Sequence, residues 1–277
     1  MTTEAGAGRR SSKWSFPWRT AALVMAVGQV ISAVLSRLFG GEFTSADRPG
    51  EPPIVPAGWT FSIWIVVEAL SLAYAIWALP ERRPNRAVRD ALAAPLTVVF
   101  AGFSCWLAAA EIEPVWATVA IFAVMIAGLL RAMSIAMRYR RTIAGWPGMP
   151  RHLLWWMLGI YTGWSTIAIW VNLTTAFVGS GAPSTGPVGI VGQMAVLAGA
   201  TATAVTILRW ANGLLPYTLA ALWALLGAVF GAIGAQQTLL AGAAAAGAAI
   251  VIAAGVPAWR HRGRIADWAS GRITAGE

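Results

Sequence analysis

Eight long apolar runs govern what this chain of 277 residues can become. They lie at about 18–39, 59–79, 91–110, 115–137, 153–178, 188–208, 215–234 and 238–258. Each is about 20 residues long, the length of α-helix that crosses a hydrocarbon layer roughly 30 Å thick. Lipid offers the backbone no hydrogen bonds, so only helices and closed barrels can span it. The runs are continuous, not short and alternating, and that selects helices. Composition agrees. Hydrophobic residues make up 58% of the chain and charged residues 11%, whereas a soluble surface needs roughly 25–35% charged side chains. The expected fold is an all-α, polytopic transmembrane bundle of eight spans. The last run, rich in alanine and glycine, reads as the least hydrophobic per residue.

The net charge of +9 does not point to nucleic acid, because the basic residues lie between the apolar runs. Membrane orientation explains them instead. With the N-terminus inside, 18 of the 20 Lys and Arg are cytoplasmic, among them Arg19, Arg82, Arg83, Arg86, Arg89, Arg131, Arg138, Arg151 and Arg209. Only Arg37 and Arg48 fall outside, with Glu42, Asp47, Glu111 and Glu113 in the outer loops. The bias persists along the whole chain and supports an even number of spans. Both termini are therefore expected in the cytoplasm of a cell bounded by this (inner, cytoplasmic) membrane. The first run is too long for a secretory signal and is read as a retained helix. The single cysteine, Cys105, allows no internal disulfide.

Every loop is short, so any function must be built between helices or at their ends. His152 and His261 are the only histidines, and both flank spans. No metal-ligand spacing, Ser/His/Asp set or phosphate-binding glycine loop occurs. The expectation is a protein that is not an enzyme and carries no metal.

Most of the 16 tryptophans lie at or near run ends, where an amphipathic indole anchors at the membrane interface. Trp77, Trp106, Trp146 and Trp155 are read in that way. Trp64, Trp164, Trp170 and Trp223 lie deeper, where the indole N–H needs a partner. They either pack against a neighbouring helix or wall a pocket for a flat hydrophobic ligand. Glu68 is the most unusual residue. An intramembrane carboxylate is costly and marks a functional site, or else it is a protonated acid bonded to a neighbour such as Gln29. Trp64 and Glu68 are four apart and share a helix face. In the fifth run Tyr161, Trp164, Ala168 and Asn172 follow one face. Gly227 and Gly231 form a GxxxG that suggests close helix packing.

Two of these stretches resemble the TspO/MBR family, the tryptophan-rich sensory or translocator proteins. Pro56-Ala57-Gly58-Trp59-Thr60-Phe61-Ser62-Ile63-Trp64 is similar to the start of the family's second helix. Tyr161, Trp164, Ala168 and Asn172 are similar to a Tyr…Trp…Ala…Asn pattern in its fifth. The resemblance covers about 18–179 and implies a five-helix core, leaving a three-helix extension at 180–259 between basic tails at 1–17 and 260–277. It implies a homodimer and an intramembrane pocket for a porphyrin or haem-type tetrapyrrole, a sterol or a similar hydrophobic ligand. Trp64 and Trp164 would then be pocket tryptophans, Ala168 would leave room for ligand and Asn172 would be a polar support.

The chain departs from the family pattern at three places. Ser62-Ile63 replaces a longer, proline-containing spacing before Trp64, Glu68 stands at a usual tyrosine, and Phe103 stands at an asparagine three before Trp106. The ligand-binding set expected is Trp64, Glu68, Tyr161, Trp164, Ala168 and Asn172, with a sensory, regulatory or transport role. Two other readings are a proton-coupled transporter using Glu68 and a structural membrane partner with no small ligand.

Overall fold

The computed structural model describes residues 17–39, 50–112 and 116–260, the side chains of 258–260 excepted. The two polar tails lie almost wholly outside the described residues, as do Glu42, Asp47, Arg48 and Glu113. Eight long helices occupy the eight apolar runs. They are α1 (Trp18–Phe39), α2 (Ile63–Ala78, preceded by a 3-10 turn at Gly58–Ser62), α3 (Arg86–Ile112), α4 (Ala117–Arg138), α6 (Gly148–Gly179), α7 (Gly186–Trp210), α8 (Leu215–Gly234) and α9 (Thr238–Arg260). A short α5 (Arg140–Ala144) joins α4 to α6. Helices α3 and α6 start about five residues before their apolar runs, because an arginine-bearing first turn can reach the interface while its backbone stays helical.

Seven of the long helices are apolar enough along their length to cross a membrane. The one that falls short is α6, which carries Tyr161, Thr162, Ser165, Thr166 and Asn172. Its place in the fold explains this. Every residue from Met157 to Ala168 is buried, so protein surrounds this stretch and its polar side chains do not meet lipid. The expectation for the last span is corrected. Helix α9 has a mean hydropathy of 2.2, equal to that of α4, because alanine, isoleucine and valine outweigh its glycines.

Helix α1 packs on α2 and α3, α3 on α4, α4 on α6, and α6 on α2, which closes a five-helix ring. Helices α7 and α8 both pack on α6, and α9 lies across α7 and α8. Helix α6 is thus shared by the ring and the last three helices. Gly159 and Gly163 make this sharing close. A Cβ at Gly159 would lie 2.7 Å from Pro216 Cβ, and one at Gly163 would lie 2.9 Å from Ala220 Cβ. Two small residues four apart allow such backbone approach. By contrast, much of α1 faces outward with Val24, Val27, Ile31 and Leu35 exposed, as suits a lipid-facing surface.

The GxxxG at Gly227 and Gly231 does pack closely, but against a loop and not against a helix. A Cβ at Gly227 would lie 2.9 Å from Pro56 Cβ and from Thr60, and one at Gly231 would meet the Val55 carbonyl. The Ala57 N–H donates to the Gly227 carbonyl at 3.0 Å. The Trp223 indole donates to the Thr60 carbonyl at 2.8 Å, and the Ile54 N–H donates to Gln193 Oε1 at 3.2 Å. The segment leading into α2 is therefore held by α7 and α8.

At the opposite end of α2, Arg89 is 1% exposed. Its guanidinium donates to the carbonyls of Ala78, Pro80, Glu81, Arg83 and Pro84. Arg19 donates to the Leu79 carbonyl at 2.7 Å and pairs with Asp90 at 2.7 Å and Glu81 at 2.9 Å. These two arginines hold the α2–α3 turn and the start of α1 together.

Candidate functional site

The fold brings the indoles of Trp64 and Trp164 into one buried aromatic cluster. Trp64 is on α2 and Trp164 on α6, and the ring centroids are 6.1 Å apart with nearly perpendicular planes. Trp64 also meets Phe103 at 4.8 Å, Trp106 at 5.5 Å and Tyr161 at 5.7 Å. Phe61 from the 3-10 turn stands edge-on to Trp164 at 5.7 Å. Edge-to-face contacts of this kind suit the ring quadrupoles. The cluster forms because α2, α3 and α6 each turn aromatic residues toward the axis of the ring, and their period keeps successive layers in register.

Beside the cluster is a cavity of about 30 Å³. Its wall includes Phe61, Trp106, Phe122, Trp164, Ala168 and Asn172, with Pro56 from the segment before the 3-10 turn and Ala224 from α8. Ala168, which the resemblance implies would leave room for ligand, lines this space. Asn172 serves as an orienting group. Its Oδ1 accepts the Trp106 indole N–H at 3.2 Å and its Nδ2 donates to the Ala168 carbonyl at 2.9 Å. The six expected residues do not all converge. Trp164, Ala168 and Asn172 line the cavity, whereas Trp64 and Tyr161 stand behind it in the cluster and Glu68 lies outside its wall.

Tyr161 is fully buried, and its hydroxyl accepts the Gln29 Nε2–H at 3.0 Å. Gln29 is thus engaged with Tyr161, and the Gln29–Glu68 hydrogen bond considered from the sequence is not formed. Glu68 is 9% exposed and makes no hydrogen bond or ion pair with a described residue. Its electrostatic neighbours are Arg37 on α1 and Tyr161 on α6.

The deeper tryptophans divide in two. Trp170 donates to Thr203 Oγ1 at 3.2 Å, and Trp223 is bonded to Thr60. Both are packed and satisfied. The indole nitrogens of Trp64 and Trp164 are buried without a hydrogen-bond partner among the described residues, as is Gln29 Oε1. A buried unpaired donor or acceptor costs about 1–3 kcal/mol, so this cluster holds hydrogen-bonding capacity that the bundle does not use.

The interfacial reading of four other tryptophans is corrected. Trp77, Trp106, Trp146 and Trp155 are between 3% and 8% exposed. They lie near run ends, yet they face the bundle, because position along a helix gives depth and says nothing of direction around it. Trp106 is the cavity-lining residue this reading misses. The signal that could have found it was its place three after Phe103, where the resemblance already pointed. Ala224 had no signal of its own, since an alanine among alanines in α8 carries none.

A family model described as TSPO-like protein matches residues 18–256. The matched stretch runs beyond residue 179 through α7 and α8 and most of α9. No curated protein and no solved structure matches the chain.

Proposed function

The chain belongs to the TSPO-like family, and from that premise we propose that it binds a hydrophobic small molecule inside the bilayer, between α3, α4, α6 and α8 beside the 3-10 turn. It is a multi-pass membrane protein of the TspO class. In this reading it senses, regulates or transports and does not catalyse a reaction. Both termini lie in the cytoplasm, and the homodimer implied by the resemblance completes the assembly.

The observation that carries the reading is the pair of buried indoles, Trp64 and Trp164, with unused N–H donors beside a cavity. Ligand sites are apolar, aromatic and furnished with few polar groups, and this one fits that description. Size adds a requirement. Small-molecule sites are typically about 300–1,000 Å³, whereas this cavity is about 30 Å³. A tetrapyrrole or a sterol enters only if side chains part. The movable wall is Pro56 and Phe61, whose segment is held to α7 and α8 by the three hydrogen bonds described above. Each such bond contributes about 1 kcal/mol net, so releasing the segment costs less than separating packed helices.

Protoporphyrin is expected to quench the tryptophan fluorescence of the purified protein saturably. Replacing both indoles, Trp64→Phe with Trp164→Phe, is expected to weaken that affinity about tenfold or more, a change of roughly 1.4 kcal/mol. An unchanged affinity in the double variant would place the ligand elsewhere and overturn this site.

A further inference from the structure

We propose that the arginine-bearing end of α4, together with α5, is a docking surface for the headgroup of an anionic phospholipid. This surface is separate from the pocket, and neither reading rests on the other. No Asp or Glu occurs between Glu113 and Asp267, whereas Arg131, Arg138, Arg140, Arg141 and Arg151 fall in the stretch that ends α4, forms α5 and starts α6. The α2–α3 turn is different. There Arg19 and Arg86 are both paired with Glu81 and Asp90. Arg131, Arg138 and Arg141 are exposed and make no ion pair or hydrogen bond with a described residue.

Orientation in the membrane requires only that basic residues lie on one side. It does not require one of them inside a span. Arg131 lies two turns before the end of α4 at Arg138, about 10 Å along the helix. Arginines at such a depth usually face the bundle interior, whereas Arg131 faces outward. Val124, Ala127, Arg131 and Arg138 follow one another at steps of three, four and seven, and all are exposed. They therefore form one outward stripe. Its apolar half suits an acyl chain, and the stems of its arginines reach toward headgroup depth. A guanidinium takes two phosphate oxygens at once, so Arg131 and Arg138 can hold one headgroup between them. Arg141 follows after a single non-helical residue, Tyr139. Arg151 donates to the Ala144 carbonyl at 3.1 Å, which ties the start of α6 to α5 and keeps its charge at this end. A zwitterionic headgroup would bring its own cation into this cluster, and an anionic one would not.

The test is native mass spectrometry of the full chain in a non-ionic detergent, with phosphatidylglycerol and phosphatidylcholine of identical acyl chains. Phosphatidylglycerol is expected to bind about tenfold tighter, and Arg131→Gln with Arg138→Gln is expected to bring the two lipids within about twofold. Arg82→Gln with Arg83→Gln removes the same charge from the α2–α3 turn and is expected to keep the preference. Equal binding of the two lipids by the natural sequence overturns the proposal. So does a preference that survives Arg131→Gln with Arg138→Gln, or one lost equally in both double variants, which would make net charge its cause. Glycerol phosphate carries the headgroup chemistry without the chains and is expected not to compete at the concentration of the lipid. Competition at that concentration would mean a free-phosphate site and would contradict a lipid surface. If the first double variant does not fold, Arg138→Gln with Arg141→Gln, at and beyond the end of α4, is read in its place with the same outcomes. None of these results bears on protoporphyrin binding, so the two readings fail separately.

Discussion

Replacing Gly163 by valine is expected to drive α6 off α8 and to lower stability by about 3 kcal/mol or more. A Cβ at this position would fall on the carbonyl oxygen of Tyr217 and lie 2.9 Å from Ala220 Cβ. The obstacle is α8 backbone, which cannot rotate away as a side chain can. The burial of Tyr217 and one satisfied contact depend on this approach. Tyr217 is fully buried and its hydroxyl lies 3.1 Å from Thr166 Oγ1. Thermal melts in detergent should show a large drop in Tm for Gly163→Val. Gly192→Val is the control, because a Cβ there meets nothing within 4 Å, and its Tm should stay near that of the natural sequence. Equal melting of all three proteins would mean that α6 and α8 are not in this contact.

The second large effect is expected at Arg89. Its guanidinium serves five carbonyls of the α2–α3 turn while being nearly inaccessible. Arg89→Met keeps the stem and removes every donor. The buried Ala78 acceptor left unpaired costs about 1–3 kcal/mol, and the loss is expected to reach about 3 kcal/mol because four part-buried acceptors are affected with it. Arg89→Lys should recover only part of it, since an ammonium cannot reproduce a planar fork of five donors. The measurement is the Tm of the three proteins side by side. The neighbouring Arg86 is exposed and pairs with Asp90 at 3.2 Å, so Arg86→Met should cost about 1 kcal/mol at most.

The existence of the spans was legible because lipid imposes one period and one length on every crossing helix. Arg89 was counted from the sequence among the charges of the expected cytoplasmic side, but its burial was not legible. Counting charges gives a side of the membrane and says nothing of where a guanidinium points. The same gap explains Trp106, whose depth near a helix end suggested an interfacial belt while its direction put it in the cavity wall. Glycine pairs were readable as close contacts but not as to partner. Gly227 and Gly231 receive a loop, and the helix contact is made by Gly159 and Gly163, which the aromatic stripe beside them hid. Trp164, Ala168 and Asn172 were found together because they lie on one helix, where spacing alone decides a common face. Tyr161 shares that spacing but stands in the cluster behind the cavity. Glu68 was singled out as an intramembrane carboxylate, and the fold buries it. Its relation to the cavity needed a second helix, and no spacing within α2 could supply that.

The contribution of α8 to the cavity was also beyond reach. Dividing the chain at residue 179 followed the resemblance, whereas Pro56, Trp223 and Ala224 join the two parts at the site. The family match over 18–256 is in keeping with a bundle whose last helices pack directly on α6.

The most direct measurement of the central claim fills the space beside Trp164. Ala168 is 8% exposed and lines the cavity, so Ala168→Leu should occupy it while keeping the α6 face apolar. The variant is expected to fold with a Tm close to that of the natural sequence and to bind protoporphyrin about tenfold or more weakly. A folded Ala168→Leu protein that binds protoporphyrin as tightly as the natural sequence would contradict the account.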